Sequence, residues 1–236
     1  MAKKTSKRKT LNILDKNKKH SQFDYTEIFR HIRTNIEFST VDKDIKSICI
    51  TSSQAGEAKT TLSINLAYIF ATKYNRVLLI DCDLRKNTLH KYMGLSNKHG
   101  LTDALLEYRQ TKKLNVEYFQ SVKDPSFAGT MAVLTSGIHI PNPSELLGSH
   151  VFKDYINELK KSFDFIIIDC APVEMISDAI PIGNAVDGTI FAISSQDTNK
   201  KDAANCVKLL QRNNVNVLGS VLTKAKSLSG SHYYYY

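Results

Sequence analysis

Short, continuously apolar segments recur along the chain and alternate with segments of helical periodicity. The apolar runs lie at residues 45–51, 77–81, 131–135, 165–169, 189–194 and 215–222, and the helical patterns at 24–38, 60–73, 101–108, 144–161 and 199–212. Strands that are apolar throughout are buried on both faces, and their alternation with helices is typical of a parallel sheet covered on both sides. The sequence therefore predicts an α/β fold with a mostly parallel sheet, and it places Ser144 as the N-cap of the helix at 144–161.

The two ends of the chain differ from its body in charge and periodicity. Residues 1–20 carry eight Lys or Arg side chains and one Asp, and so account for +7 of the formal net charge of +9. We expect a disordered basic tail at 1–20, one domain at 21–223 and a flexible tyrosine-rich tail at 224–236. The basic tail is open to two interpretations, a solvated segment or a segment that contacts an anionic membrane surface.

The composition also limits the classes of protein to consider. A body with no net charge argues against a large nucleic-acid groove. No apolar run reaches the roughly 18 residues that cross a bilayer, and no apolar stretch follows the basic N-terminus as in a signal peptide, so we expect a cytosolic protein. The cysteines (Cys49, Cys82, Cys170 and Cys206) have no CxxC spacing, which favours buried free thiols over zinc.

A candidate phosphate-binding loop follows the first predicted strand. It reads Ser53, Gln54, Ala55, Gly56, Glu57, Ala58, Lys59, Thr60 and Thr61, and a helical pattern begins directly after it. A strand, a loop of small residues, Lys-Thr and a helix form the context of a P-loop. Backbone N–H groups at the helix N-terminus would bind phosphate oxygens, Lys59 would reach the β- and γ-phosphates, and Thr60 would bind Mg²⁺.

The loop departs from G-x-x-x-x-G-K-[ST], because Ser53 and Ala58 stand at the two glycine positions. If position 58 needs a positive φ angle, Ala costs about 1 kcal/mol or more there, and its methyl group lies close to the phosphates. The alternative interpretation of the loop is an ordinary strand–turn–helix connection with an exposed lysine.

Two predicted strands end in aspartate. Asp81 is the last residue of the run at 77–81, and Asp83 follows two residues later. Asp169 is the last residue of the run at 165–169. Because the carboxyl ends of parallel strands lie at one edge of a sheet, these side chains should lie beside the phosphate loop. They would hold Mg²⁺, or else cap the following helices. With the loop, they indicate phosphoryl transfer or hydrolysis that depends on Mg²⁺ and ATP.

Together these segments resemble the bacterial tyrosine kinases (BY-kinases), specifically the cytoplasmic kinases of Gram-positive capsule and exopolysaccharide systems. SSQAGEAKTT resembles the Walker A motif of that family, LLIDCDLRKNTLH its Walker A′ motif and FDFIIIDCAPVEMISDA its Walker B region. Glu27, Arg30 and Arg33 fit its oligomerisation motif. Four consecutive tyrosines resemble its C-terminal phosphorylation cluster, namely Tyr233, Tyr234, Tyr235 and Tyr236. The resemblance covers about residues 21 to 236.

The resemblance implies a P-loop NTPase fold related to MinD and ParA and an ATP-dependent protein tyrosine autokinase that regulates capsular or exopolysaccharide polymerisation and export. It implies that Lys59, Asp81, Asp83 and Asp169 are catalytic, and that residues 53–61 bind ATP. Thr60, Asp81 and Asp169 would hold Mg²⁺, and Asp83 would orient or deprotonate the attacking tyrosine hydroxyl. A carboxylate suits that role because a phenol with a pKa of about 10 is not ionised at neutral pH.

The resemblance also implies partners and a location. A separate membrane-anchored polysaccharide co-polymerase would activate the chain at the inner face of the plasma membrane. The chain would form a ring-shaped homo-oligomer through Glu27, Arg30 and Arg33, and a cognate tyrosine phosphatase would act on it. The three side chains could instead form surface pairs within their own helix.

Two other functions stay open at this point. The chain departs from the family pattern at Ala55, Ala58, Cys82, Asn87 and Cys170, and these departures leave open reduced activity or a non-catalytic nucleotide-binding regulator. A MinD- or ParA-type ATPase is the other alternative. Those ATPases carry a second lysine five residues before the P-loop lysine, where this chain has Gln54, and they leave the tyrosine tail unexplained.

Overall fold

The computed structural model describes residues 25–39, 44–174 and 178–225. Within these residues, seven strands form one sheet: β1 (Ser47–Ser52), β2 (Arg76–Asp81), β3 (Gln120–Val122), β4 (Thr130–Leu134), β5 (Phe165–Asp169), β6 (Gly188–Ser194) and β7 (Val217–Thr223). Their order across the sheet is β3-β4-β2-β5-β1-β6-β7. Every neighbouring pair is parallel except β3 and β4, which are antiparallel. The predicted α/β fold with a mostly parallel sheet is confirmed.

Helices cover both faces of this sheet. They are α1 (Tyr25–Glu37), α2 (Lys59–Ala71), α3 (Leu89–Met93), α4 (Leu101–Thr111), α5 (Pro143–Leu147), α6 (His150–Ser162), α7 (Ala179–Ala185) and α8 (Lys200–Arg212), with a 3₁₀ turn at Val116–Tyr118. Successive strand residues point to opposite faces, so Ile48 and Ile50 of β1 pack beneath α1 and α2, whereas Cys49 faces the layer that contains α4, α6, α7 and α8. This double covering explains why the strands are apolar throughout.

The single helix predicted at 144–161 is wrong, because the chain breaks there into α5 and α6. Gly148 ends α5, and the hydroxyl of Ser149 accepts a hydrogen bond from the amide of Phe152 as the N-cap of α6. Ser144 is therefore not the cap. Asn142 is the N-cap of α5, Pro143 takes the first helical position, and the hydroxyl of Ser144 bonds to a carboxylate elsewhere in the chain.

The state of the four cysteines agrees with the sequence prediction. The cysteines at 49, 82, 170 and 206 are free and buried, as expected. In the part of the chain that the structure describes, no helix has the length and apolar character needed to cross a membrane.

Both predicted tails lie largely beyond what the structure describes. The basic segment at 1–20 is outside the described residues. So are all four tyrosines of the predicted phosphorylation cluster, Tyr233, Tyr234, Tyr235 and Tyr236. Their assignment as phosphorylation sites therefore stays a prediction.

Candidate active site

The loop that the sequence assigns to phosphate binding joins β1 to α2. Its φ angle is 86° at Gly56 and 61° at Ala58, so both residues are in the left-handed region. Ala58 precedes α2 and makes no side-chain capping bond to it. No capping side chain therefore occupies the helix N-terminus, where unpaired N–H groups and the helix dipole favour an anion such as phosphate.

A fully buried glutamate holds this loop in shape. The Glu57 side chain has 0% exposure. Its carboxylate accepts hydrogen bonds from the hydroxyl of Ser53 at 3.0 and 3.1 Å, from the amide of Gln54 at 2.9 Å, and from the hydroxyl of Thr198. The backbone oxygen of Glu57 also accepts a bond of 2.9 Å from Thr223. These contacts attach the loop to Thr198, which follows β6, and to Thr223 at the end of β7. The sequence could not predict these contacts, because Thr198 and Thr223 lie more than 100 residues from Glu57 along the chain.

The left-handed conformation of Ala58 leads to a prediction. An L-residue with a side chain costs about 1–2 kcal/mol in this region, whereas glycine does not. In the opposite direction, glycine gives the unfolded chain more conformational freedom, which costs about 0.4–1 kcal/mol of stability. We therefore expect Ala58→Gly to increase the free energy of unfolding by a net of roughly 0.5 kcal/mol. Removing the methyl group should also tighten ATP binding about threefold, which calorimetry would measure.

The reverse substitution at the other left-handed position is a matched control. A Cβ atom at Gly56 would meet no heavy atom within 4 Å, so Gly56→Ala tests backbone strain without a clash. It should lower the melting temperature and weaken ATP binding. If ATP bound tenfold more weakly to Ala58→Gly, the loop would instead be adapted to alanine.

Two aspartates meet at the carboxyl edge of the sheet, next to this loop. Asp81 and Asp169 are register partners on the adjacent parallel strands β2 and β5. One oxygen of Asp169 accepts a bond of 2.6 Å from the hydroxyl of Thr60, and the other accepts a bond of 3.1 Å from Ser63. The structure thus brings together the three side chains assigned to Mg²⁺, and it adds Ser63, one helical turn beyond Lys59, which sequence reasoning missed.

The electrostatics of this edge fit a cation. Burial has the largest effect on Asp169 and raises its pKa to about 6. Hydrogen bonds from Thr60 and Ser63 and the charge of Lys59 lower this pKa, but by less. Burial, and then the charges of Asp169 and Asp83, raise the pKa of Asp81 well above its ordinary value. The buried Oδ2 atom of Asp81 has no hydrogen-bond partner among the described residues. An unpaired carboxylate oxygen beside a second carboxylate and a hydroxyl is the donor set that suits Mg²⁺.

The residues that the structure describes do not form a complete metal cage by themselves. Among the described residues there is no group of three or more His, Cys, Asp or Glu side chains arranged to hold a metal ion. Mg²⁺ usually keeps several waters and takes one or two carboxylates together with substrate phosphates. The edge formed by Thr60, Asp81 and Asp169 therefore fits Mg²⁺ bound together with a nucleotide.

Lys59 is the first residue of α2 and is only 8% exposed. The alternative interpretation of the loop, with an exposed lysine, is therefore wrong for this side chain. Its charge acts on Asp169, whose pKa it lowers. A nearly buried ammonium group close to a phosphate loop is placed to neutralise phosphate oxygens.

A cavity of about 440 Å³ opens at this edge. Six of the nine predicted nucleotide-binding residues line it: Ala55, Gly56, Ala58, Lys59, Thr60 and Thr61. Asp83 also lines the cavity. The amide of Lys86 donates a bond of 2.9 Å to Oδ1 of Asp83, which leaves Oδ2 for a substrate hydroxyl. The site can hold a nucleotide and present one carboxylate to an acceptor.

The three residues of the predicted oligomerisation motif have different surroundings on α1. Glu27 and Arg30 are exposed and form an ion pair with each other. Arg33 is mostly buried, and its guanidinium donates a bond of 2.9 Å to the backbone oxygen of Ile69 near the end of α2. Arg33 therefore attaches α1 to the helix that begins at Lys59.

The chain has relatives along almost its whole length. A family model described as an AAA domain matches residues 45–218. Tyrosine-protein kinase YwqD of Bacillus subtilis (strain 168) is 42% identical over 211 residues, which cover 89% of this chain and 86% of YwqD. Putative tyrosine-protein kinase CapB of Staphylococcus aureus is 36% identical over 236 residues, which cover 100% of this chain and 98% of CapB.

Solved structures agree in fold. The septum site-determining protein MinD of Pyrococcus horikoshii OT3, complexed with Mg-ADP, has a TM-score of 0.59 at 22% identity, covers 75% of this chain and 69% of its own, and shows the fold alone. The chimerical protein CapA2B2 has a TM-score of 0.77 at 32% identity and covers 89% of this chain and 88% of its own. With the phosphate loop and the paired aspartates in place, these similarities show that the chain belongs to the bacterial tyrosine-protein kinases.

Proposed function

We propose that this chain is an ATP-dependent protein tyrosine autokinase that regulates capsular or exopolysaccharide polymerisation and export, and that it phosphorylates its own C-terminal tyrosines, Tyr233, Tyr234, Tyr235 and Tyr236. The observation that carries this proposal is that Lys59, Thr60 and Asp83 line one cavity, while the hydroxyl of Thr60 bonds to Asp169, the register partner of Asp81. Asp83 presents a further carboxylate beside the residues assigned to the nucleotide. A kinase needs one to receive the proton of the acceptor hydroxyl.

Each residue of the candidate site has its own role in the proposed reaction. The amides at the start of α2 and the ammonium group of Lys59 bind the phosphates of ATP. Thr60, Asp81 and Asp169 would hold Mg²⁺, which when bound supplies positive charge to the phosphate oxygens. Asp83 orients the tyrosine hydroxyl and accepts its proton. Asp81 and Asp169 are buried, and electrostatic contacts are stronger in such surroundings than in bulk water.

The test is to incubate the purified chain with Mg·ATP and to locate phosphotyrosine by mass spectrometry of the C-terminal peptide. We expect phosphate on residues 233–236, and we expect a variant with all four tyrosines changed to Phe to lose the label while it binds ADP as the wild type does. A wild-type chain that hydrolyses ATP without phosphotyrosine would favour a MinD- or ParA-type ATPase. A chain that binds ATP and performs neither reaction would favour a non-catalytic regulator.

One contact argues against the MinD- or ParA-type alternative. At the position of the second lysine of those ATPases, the side chain of Gln54 donates a bond of 2.9 Å to the backbone oxygen of Asp197 in the same chain. Gln54 therefore supports its own loop and carries no charge that could reach phosphates.

We further propose the partners and location that such a kinase needs. The chain acts at the inner face of the plasma membrane, is activated by a membrane-anchored co-polymerase and is reset by a tyrosine phosphatase. It assembles into a homo-oligomeric ring through the exposed face of α1. Four phosphates on the tail would each add about −1.5 to −2 charge, and their mutual repulsion would weaken that ring.

The different surroundings of the α1 residues sharpen the prediction for this ring. Changing Glu27, Arg30 and Arg33 all to Ala should lower the oligomer mass in light scattering without weakening ATP binding. We expect the Glu27→Ala, Arg30→Ala double variant to be sufficient and to leave the melting temperature unchanged, because both side chains are exposed.

Arg33→Ala alone is the contrasting variant. It should lower the melting temperature by a few degrees, since it removes a hydrogen bond to α2 worth about 1–2 kcal/mol. An oligomer mass that stays the same in the double and triple variants would leave Glu27 and Arg30 as a surface pair.

A further inference from the structure

Three separate segments meet at a buried carboxylate, and one of them contributes Arg85 to the lining of the cavity. The side chain of Asp178, just before α7, is only 2% exposed. Its carboxylate accepts a hydrogen bond from the hydroxyl of Ser144 in α5, and its Oδ2 lies 3.3 Å from Nε of Arg85. Nη2 of Arg85 in turn donates a bond of 2.9 Å to the hydroxyl of Ser144. The guanidinium is thus held at two of its nitrogens by groups from two other parts of the chain.

The arginine that is held in this way lines the candidate nucleotide site. Arg85 is 40% exposed and lines the same cavity as Lys59, Thr60 and Asp83. A guanidinium has five N–H donors in a rigid plane, and the contacts to Asp178 and Ser144 use Nε and Nη2. The two donors on Nη1 stay available to a ligand in the cavity. A long side chain fixed in advance loses less entropy when it binds.

Arg85 also supplies positive charge where phosphoryl transfer needs it. Phosphoryl transfer spreads negative charge over the three oxygens of the moving group. Lys59 reaches the cavity from α2, whereas Arg85 reaches it from the connection between β2 and α3, two residues past Asp83. Lys86 and Lys224 also line the cavity. However, Arg85 is the cationic lining residue that combines a planar guanidinium with a position two residues past Asp83.

We propose that Arg85 is a further catalytic residue, a cis arginine that stabilises the charge on the transferring phosphoryl group, and that Asp178 and Ser144 are positioning residues that hold it. This inference rests on the proposed kinase function. In the step concerned, the tyrosine oxygen forms a bond to the γ-phosphorus and the bond to the bridging oxygen of ADP breaks. The hydroxyl proton passes to Asp83, and the products are ADP and phosphotyrosine.

The test compares binding of ADP alone with binding of ADP and aluminium fluoride, a mimic of the moving phosphoryl group, by calorimetry in Mg²⁺. For Arg85→Met we expect about 100-fold weaker binding of the mimic, an ADP affinity within about threefold of wild type, and a similar 100-fold fall in the single-turnover rate. Arg85→Lys should resemble Arg85→Met, because an ammonium group cannot contact Asp178 and the phosphoryl group at once. Lys91→Met, a loss of charge on the exposed side of α3, is the matched control and should change none of these values.

The positioning role is tested by a double-mutant cycle. Ser144→Ala should lower the rate about tenfold at unchanged KM for ATP, and it should have no further effect in the Arg85→Met background. Asp178→Asn should behave in the same way if it folds. Equal losses of ADP and mimic binding in Arg85→Met, or additive effects of Ser144→Ala, would overturn the proposal. The binding comparison does not depend on tyrosine transfer. A wild type without phosphotyrosine would contradict the kinase function, whereas the comparison of ADP with ADP and aluminium fluoride would still decide the role of Arg85.

Discussion

Lys59→Met is expected to abolish autophosphorylation while the protein stays folded. The ammonium group lies almost buried at the start of α2, beside the loop that would bind phosphate. Removal of one preorganised charge or donor of this kind costs about 10²- to 10³-fold in rate. Methionine has nearly the same length and is apolar, so the packing around it should survive. Phosphotyrosine detection with Mg·ATP measures the first expectation and a thermal melt measures the second.

A lysine at the other end of the same helix provides the control. Lys73 follows α2, is half exposed and pairs with Glu37 on the surface. Lys73→Met should retain full labelling, since the half-exposed Lys73 is not among the residues that line the cavity. Wild-type labelling in Lys59→Met would contradict the assignment of the phosphate loop.

Lys59→Met should also shift the titration of the neighbouring aspartate. The charge of Lys59 lowers the pKa of Asp169, which burial raises to about 6. Without that charge the pKa should rise further, so that more of the Asp169 side chain is protonated near neutral pH. Any Mg²⁺-dependent ADP binding that remains in the variant should therefore need a higher pH than in the wild type.

The sequence was sufficient to predict the sheet and the edge where the site lies. Strands such as β5 are buried on both faces, so they appear as unbroken apolar runs, and Asp169 stands out as the first polar residue at the end. The connection between β1 and α2 could be located for a similar reason, because Lys59 and Thr60 follow a strand and begin a helix, and its role in phosphate binding stays a prediction. These are local patterns, and local patterns survive folding when burial enforces them.

What the sequence missed depends on contacts between distant segments. The break between α5 and α6 occurs at Gly148, where the helical periodicity continues although the helix does not. α7 contains Pro181 and Gly183, which weaken any helical pattern, and its packing against the core stabilises it. The burial of Glu57 against Thr198 and the bond from Arg33 to α2 have no signature in sequence spacing. In each case tertiary packing outweighs local propensity.

Asp81→Asn should abolish activity and at the same time stabilise the free protein. Asparagine has the same shape but lacks the charge that would bind Mg²⁺, so we expect the rate to fall about 100-fold or more. The stability effect follows from the pKa of Asp81, which burial, Asp169 and Asp83 raise well above its ordinary value. Below the ordinary pKa of about 3.9, the carboxyl is protonated in the folded and unfolded chains and costs nothing. As the pH rises from there through the raised pKa, the unfolded chain releases the proton more easily, and the wild type loses stability.

The asparagine variant carries no such penalty, so without Mg²⁺ its melting temperature at pH 7.5 should exceed that of the wild type by about 2–4 °C for each kcal/mol relieved. The difference should shrink as the pH falls towards 4. Mg·ADP should reverse the order, because it binds the folded wild type more tightly and so stabilises it more. A variant that melts below the wild type at pH 7.5 without Mg²⁺ would contradict the electrostatic argument, and full activity restored by raised Mg²⁺ would show that Asp81 is a minor ligand. Asp83→Asn is the matched comparison, since Asp83 is partly exposed and its loss should lower the rate.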